Sequence, residues 1–405
     1  MLCLRIAHVI GFYTPGLGYE ENCLPFEQAK RGHDVCIFTS RRSALRNVFG
    51  WLSDTGQSQS PQKNPTDHDD AVEIIRLSST PPLYGQVLLR GLRPALRKFE
   101  PDVVHSHGGL SPHSMQCVLH AKSLGYSLFI DDHSHELNLH AETGVRAAYV
   151  GLVAALYRAF GNRVKAFLPV TPSAANILRE RLGIPPHKLV VIGLGADDQL
   201  FAPSGEQRRA RRQELGLRDK DIAIVSTGKL TPAKEVGILV EAVSMIKNSL
   251  NPIRLILAGH IAESYRVELT RLADRLGVGE GLVFLPFVPH AELPSFYNAA
   301  DVGVWPGAHT ITALEALSTG LPCALPLCDN AYEAIRDWKA ALGFTRGDPK
   351  SLADAITTLV HDSDLRSKMS KSARELVESK LSWKVICEHT LQVYRGGVPA
   401  RNEVG

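Results

Sequence analysis

Lys229 and Lys234, five residues apart, are the side chains best placed to act on an anion. Lys229 closes Thr227-Gly228-Lys229 at the end of an apolar run, and Lys234 stands where the next helical pattern begins. Two such ammonium groups can converge on a diphosphate and neutralise charge developing on a leaving group. Lysines near loops are just as often solvated surface groups. A second anion-binding feature lies in Trp305 to Pro326, WPGAHTITALEALSTGLPCALP. It reads as a strand end, a Pro-Gly turn, a helix carrying Glu315, then Gly320, Pro322 and another apolar strand. A helix that opens straight after a strand points free backbone N–H groups and its positive dipole end into the crevice. Two turns on, Glu315 is a carboxylate that could accept hydrogen bonds from sugar hydroxyls. An anion site beside a hydroxyl acceptor is what a nucleotide diphosphate requires.

Three other constellations could carry chemistry. Gly16 and Gly18, in Pro15-Gly16-Leu17-Gly18-Tyr19, would let the backbone approach a ligand closely. They could equally mark a tight turn needing positive φ, since the run is not a full dinucleotide fingerprint. His105 and His107 end one strand, while His133 and His135 end the next, so each pair could face one way. Imidazoles suit zinc, but no Cys or acidic ligand stands at a recognisable motif spacing. One histidine for substrate positioning, the rest being structural, is the reading preferred, and no metal is expected. Finally, a helix over Gln86–Phe99 would align Gln86, Arg90, Arg93 and Arg97 opposite Leu89, Leu92, Leu96 and Phe99. With Arg41, Arg42, Arg46, Phe49 and Trp51 this could meet anionic lipid headgroups or a lipid-linked acceptor. An ordinary solvated amphipathic face is the reading preferred, and Gly91 and Pro94 disturb the helix.

The elements that must position these residues alternate in type. Candidate strands are 4–10, 35–39, 73–77, 102–105, 127–130, 166–170 and 189–192, separated by helical patterns near 20–31, 86–99, 112–123, 145–163 and 173–182. The scheme repeats with strands at 222–227, 254–258, 282–285, 301–305 and 323–325. Val236, Leu239, Val240 and Val243 mark a helix after the first of these. Such alternation implies βαβ units and two doubly wound parallel sheets, each with a crevice at the carboxyl ends of its strands. A linker is expected at Gly193–Gly205 and a mobile polar insertion at Ser53–Ala71.

A length of 405 residues suits two domains, and 44% hydrophobic residues argues against disorder. A formal charge of +3 gives no sign of a nucleic-acid partner. Seven cysteines without a CxxC pair fit reduced thiols in a cytoplasmic protein. The apolar start runs at once into Gly11 and Pro15, which suits a first strand and not a secretory signal. The longest apolar run, Ala147–Tyr157, falls well short of the roughly 20 residues that cross a bilayer. Peripheral contact at the inner face of a membrane stays open.

Taken together, the segments PGLGYEEN, KRGHDVCIFTS, PDVVHSHG, DDHSHEL, VTPSAANILRERLGIPPHKLVVIGLGAD, STGKLTPAKE and ITALEALSTGLPCALP, in this order, resemble the retaining family 4 glycosyltransferases over nearly the whole chain. The resemblance implies the α/β GT-B fold, two Rossmann-like domains facing across a cleft that holds a sugar nucleotide. Here these would be 1–195 on the acceptor side and 206–382 on the donor side, with a last helix, 383–398, packing back onto the first. It also implies roles. Lys229 and Lys234 would hold the donor diphosphate with Gly228 and the amides around Thr310, Ile311 and Thr312. Glu315 would hold the ribose, His133 would lie close to the transferred sugar, and Gly16 and Gly18 would form the loop beneath donor and acceptor. The nucleotide diphosphate sugar, with uridine the expected base, is then a co-substrate and no cofactor is needed. The expected partner is a glycan or lipid-linked acceptor of cell-surface polysaccharide or glycolipid assembly.

One departure bears on chemistry. The family carries a pair of glutamates eight residues apart, and Gly307 stands where the first should precede Glu315. His309 could replace its sugar contact, or the enzyme could be weakened. Leu194 replaces an expected Asn before Gly195. A sugar-nucleotide epimerase of the same fold and a non-catalytic nucleotide-sugar-binding subunit are the rival readings.

Overall fold

The computed structural model describes residues 3–42, 72–82, 86–134, 144–246, 251–307, 310–327 and 335–396. The Ser53–Ala71 insertion, Arg46, Phe49, Trp51, His135 and His309 lie outside the described residues. The chain forms two compact units. One holds the described residues up to Leu194 and those from Ile386 onward, and the other runs from Gly195 to Val385.

The first unit is built on β1 (Arg5–Val9), β2 (Asp34–Ser40), β3 (Val72–Leu77), β4 (Val103–His107), β5 (Ser127–Asp132) and β6 (Val164–Pro169). Their order is β3-β2-β1-β4-β5-β6, and every pairing is parallel. Both faces are covered, so the strands read as near-continuous apolar runs. Alternate residues feed two separate cores. Ile6, Ile37, Val103 and Phe129 join one, together with Cys387, Leu391 and Tyr394 of the last helix, while Ala7, Phe38, Val104 and Ile130 join the other. By the same alternation His8, His105, His107 and Asp131 fall on the face that Tyr394 covers.

Two expected elements differ. Leu189–Ile192 is not a ladder strand: Leu189 makes an isolated bridge to Phe167, and Val190 and Ile192 each donate one backbone hydrogen bond to β6. A 3-10 turn at Pro186–Lys188 and Gly193 at φ 85° leave it too short to pair further. The helix expected over Gln86–Phe99 begins only at Leu92, because Gly91 adopts φ 81°. Before it the chain is bridged through Leu89 to Ser79. Gln86 and Arg90 therefore leave the helical face, while Arg93 and Arg97 stay exposed on it.

The second unit carries β7 (Ile222–Thr227), β8 (Ile253–Ala258), β9 (Leu282–Leu285), β10 (Val302–Val304), β11 (Cys323–Pro326) and β12 (Ala341–Phe344), in the order β12-β11-β10-β7-β8-β9. β12 was not among the strands expected from sequence. Each sheet reverses its winding once, between β1 and β4 in the first and between β7 and β10 in the second. Open α/β sheets bind ligands outside the strand ends at such a switch point. Beyond β7 and β8 the backbones nearly touch. A Cβ added at Gly259, φ 144°, would stand 1.9 Å from the carbonyl oxygen of Gly228, φ 120°. Only glycines allow the chain to turn there.

Candidate functional site

In the second unit, the residues expected to meet phosphate gather at the switch point. Lys229 and Lys234 follow β7, and Thr310–Thr312 follow β10. The two loops are tied together. The Trp305 indole N–H donates to the Thr227 carbonyl at 3.0 Å, and the Thr227 hydroxyl meets Tyr297 Oη at 2.8 Å. Lys229 is exposed and Lys234 half-buried. Partial loss of hydration around their ammonium ends holds both below the ordinary lysine value, and the charges of Lys229 and Arg346 depress Lys234 further. Arg346, just past β12, is thus a third cation at this place, braced by a 2.7 Å ion pair to Glu235. A lysine whose proton affinity is lowered by two neighbouring cations is set to receive an anion.

The helix Ile311–Ser318 completes the positive side. Thr310 is its N-cap but makes no side-chain capping bond; its hydroxyl pairs with that of Thr312 at 2.7 Å. The first N–H groups of such a helix have no acceptor within it. Glu315, expected two turns in, stands little more than one turn from Ile311. It is also more enclosed than an open acceptor, at 2% exposure. Oε1 lies 2.6 Å from His290 Nε2, and Oε2 is buried without a hydrogen-bond partner. Burial raises its pKa, an effect that His290 opposes.

In the first unit, Gly16 (φ 73°) and Gly18 (φ 72°) both adopt the left-handed conformation in the loop after β1. His133 follows β5 with its side chain 38% exposed and Nε2 3.0 Å from Glu20 Oε2. Burial would lower its pKa, but the contacts with Asp131 and Glu20 raise it well above the ordinary histidine value. Behind it lies a buried polar layer. Asp131 contacts His105 and His107, and its carboxyl is held well below the usual range against the opposing effect of burial.

The residues 207–376 match the profile of the glycosyl transferases group 1, and 26–200 match that of glycosyltransferase family 4. The chain belongs to the group 1, family 4 glycosyltransferases. The D-inositol 3-phosphate glycosyltransferase of Corynebacterium urealyticum is 30% identical over 234 residues, 55% of each chain. The chain thus spans about half the length of the curated relatives it matches. HepE of Anabaena, solved in complex with UDP, superposes with a TM-score of 0.73 at 17% identity, covering 97% of this chain and 100% of that one. Sucrose-phosphate synthase of Thermosynechococcus elongatus gives 0.71 at 19% identity, covering 96% and 98%. At such identities the likeness shows the fold, the GT-B architecture of two Rossmann-like domains.

In this chain Gly307 has a packing reason. A Cβ there would stand 2.8 Å from Lys234 Cα and 2.9 Å from the Ala233 carbonyl oxygen. The turn Pro232–Lys234 therefore lies directly on position 307, and no side chain fits without moving the Lys234 backbone. Sequence reasoning missed Arg346, His290, Glu20 and Asp131. Arg346 was hidden with β12. Asp131 was within reach, since it shares strand parity with His133 and pairs in register with His107.

Gly307→Ala is expected to destabilise the protein by about 1–3 kcal/mol through overpacking, seen as a lower denaturant midpoint at unchanged m-value. Glu315→Gln is expected to behave oppositely. A raised carboxyl pKa means that the folded state keeps its proton longer, so wild-type stability falls as pH rises through the raised value. Gln carries no such charge. Its melting temperature should therefore gain on wild type as pH rises from about 4.5, the unshifted value, in paired thermal scans.

Proposed function

We propose that the chain is a retaining glycosyltransferase that moves a sugar from a nucleoside diphosphate sugar, with UDP as the carrier, to an acceptor hydroxyl. The observation that carries this is the convergence of Lys229, Lys234 and Arg346 beside the uncapped helix start at Thr310–Thr312, with a buried carboxylate one turn further on. In this reading the cations and helix amides bind the diphosphate and stabilise its charge as it leaves, so this step asks nothing of a metal. The unpartnered Glu315 Oε2 accepts from the ribose. In the first unit His133 is the residue proposed to contact substrate, with the left-handed loop of Gly16 and Gly18 after β1. The acceptor hydroxyl attacks on the face the diphosphate leaves, which retains the anomeric configuration without a protein nucleophile. UDP in the HepE complex supports the choice of carrier.

The acceptor is proposed to be a glycan or a lipid-linked sugar or alcohol of cell-surface assembly. Exposed Arg90, Arg93, Arg97 and Lys98 form a basic patch suited to anionic headgroups at the cytoplasmic face of a membrane. Among the described residues no helix is long and apolar enough to cross one.

The test is Lys234→Ala assayed with a panel of sugar nucleotides and acceptors. Transfer should fall about a hundredfold or more with the thermal melt preserved, and the wild-type product should keep the donor's anomeric configuration by NMR. Unchanged turnover in the variant sinks the assignment. Isomerised donor sugar in the absence of acceptor would point instead to an epimerase.

A further inference from the structure

The buried layer of the first unit contains an arrangement that the transfer reaction does not use. Glu20, His105, His107 and Asp131 each offer a ligand atom, and these atoms all lie within 4.8 Å of one another. None of the four residues is more than 9% exposed. Buried polar atoms are normally hydrogen-bonded, yet both carboxylate oxygens of Glu20, His105 Nε2, His107 Nδ1 and Asp131 Oδ2 have no hydrogen-bond partner. His105 Nε2 comes within 3.2 Å of Asp131 Oδ2, and His107 Nδ1 also contacts it, without the alignment of a hydrogen bond. The atoms are gathered in one buried cluster, with His133 Nε2 at its edge 3.0 Å from Glu20 Oε2.

The far sides of the same groups are held in place. Asp131 Oδ1 accepts from the Gly108 N–H at 2.8 Å, and His105 Nδ1 is 2.5 Å from Tyr394 Oη. His107 Nε2 is 3.0 Å from His8 Nδ1, and His8 Nε2 is 2.8 Å from Gln28 Oε1. This chain dictates tautomers. Gln28 Oε1 can only accept, so His8 carries its proton on Nε2 and presents a lone pair at Nδ1. His107 must then donate from Nε2, and its Nδ1, which faces the Asp131 carboxylate, carries either a proton or a metal ion. The convergence of four ligand atoms favours the metal ion.

The geometry points to a buried divalent-cation site in which Glu20, His105, His107 and Asp131 are the ligands. Two imidazoles and two carboxylates form a borderline donor set of the kind that takes zinc, and two carboxylates balance the charge of a divalent ion. The hydrogen bonds on the outer ring nitrogens are those that ligating histidines ordinarily make. Sequence spacing hides the site because its acidic members come from the next strand and from the helix Glu20–Lys30. The site is independent of the diphosphate reading, whose cations belong to the second unit. An ion there would also orient Glu20, and through its 3.0 Å contact hold His133.

The test uses the full chain without a histidine tag, purified without chelator, and reads metal content in place of transfer. Elemental analysis should find one equivalent of zinc per chain. Chelation should lower the melting temperature, and added Zn2+ should restore it. Co2+ added to the stripped protein should give the visible d–d absorption of a low-coordinate site, abolished in Asp131→Asn. Tyr394→Phe cuts no ligand but removes the oxygen on His105 Nδ1, and should weaken zinc binding by about ten- to a hundredfold. That variant keeps the test decisive if Asp131→Asn fails to fold. Substoichiometric metal, no cobalt band and no thermal response would overturn the proposal and leave a proton as the bridging cation. A cobalt spectrum unchanged in Asp131→Asn would overturn it as well.

Discussion

The contact on which the second unit's chemistry depends is backbone on backbone. The turn after β7 lies on the turn after β10, with the Lys234 backbone less than 3 Å from where a Cβ of residue 307 would be. Trp305 and Tyr297 pin the same two turns through Thr227. This close approach brings the Lys234 backbone against Gly307, three residues before the N-cap of the helix Ile311–Ser318. It also explains why position 307 holds glycine. A glutamate there would have to displace the Lys234 backbone. In the proposed reading, the glycine is therefore part of how the phosphate-binding turn is built, and any sugar contact a carboxylate would make has to come from elsewhere.

A second constraint works in the first unit. Parallel strands buried on both faces alternate strictly between two cores, so a polar residue in the wrong parity cannot reach solvent. His8, His105, His107 and Asp131 share the parity of Ile6, Val103 and Phe129, and they answer to one another beneath Tyr394. The layer is costly unless complete, which makes it a device for holding the strand ends, and with them His133, in one arrangement.

How much was legible in sequence follows from the same physics. β7 falls on the residues its apolar run indicates, because a strand buried throughout carries no competing signal, and β9 does so too although it is half-buried at the sheet edge. The position of Lys229 and Lys234 after β7 and the helix after β10 were legible because turn residues bracket them. β12 was not: four residues including Gly343 look like a loop until β11 pairs with them. Leu189–Ile192 misled because an apolar extended run looks alike whether or not it has a pairing edge. Glu315 was legible as a carboxylate near a helix start, but its burial and its bond to His290 depend on a loop 25 residues away. The acidic half of the histidine cluster was hidden for a similar reason. Register between strands, unlike spacing along one, is a tertiary property.

In the proposed reading the second unit recognises a diphosphate through converging cations and helix amides. Calorimetric titration of the intact protein with UDP, UMP and uridine distinguishes this from recognition of the nucleoside alone. Affinity should depend on the second phosphate, with UDP binding at least about tenfold, or ~1.4 kcal/mol, more tightly than UMP, and uridine alone binding weakly. Equal affinity for the three, or no binding of UDP, would contradict it.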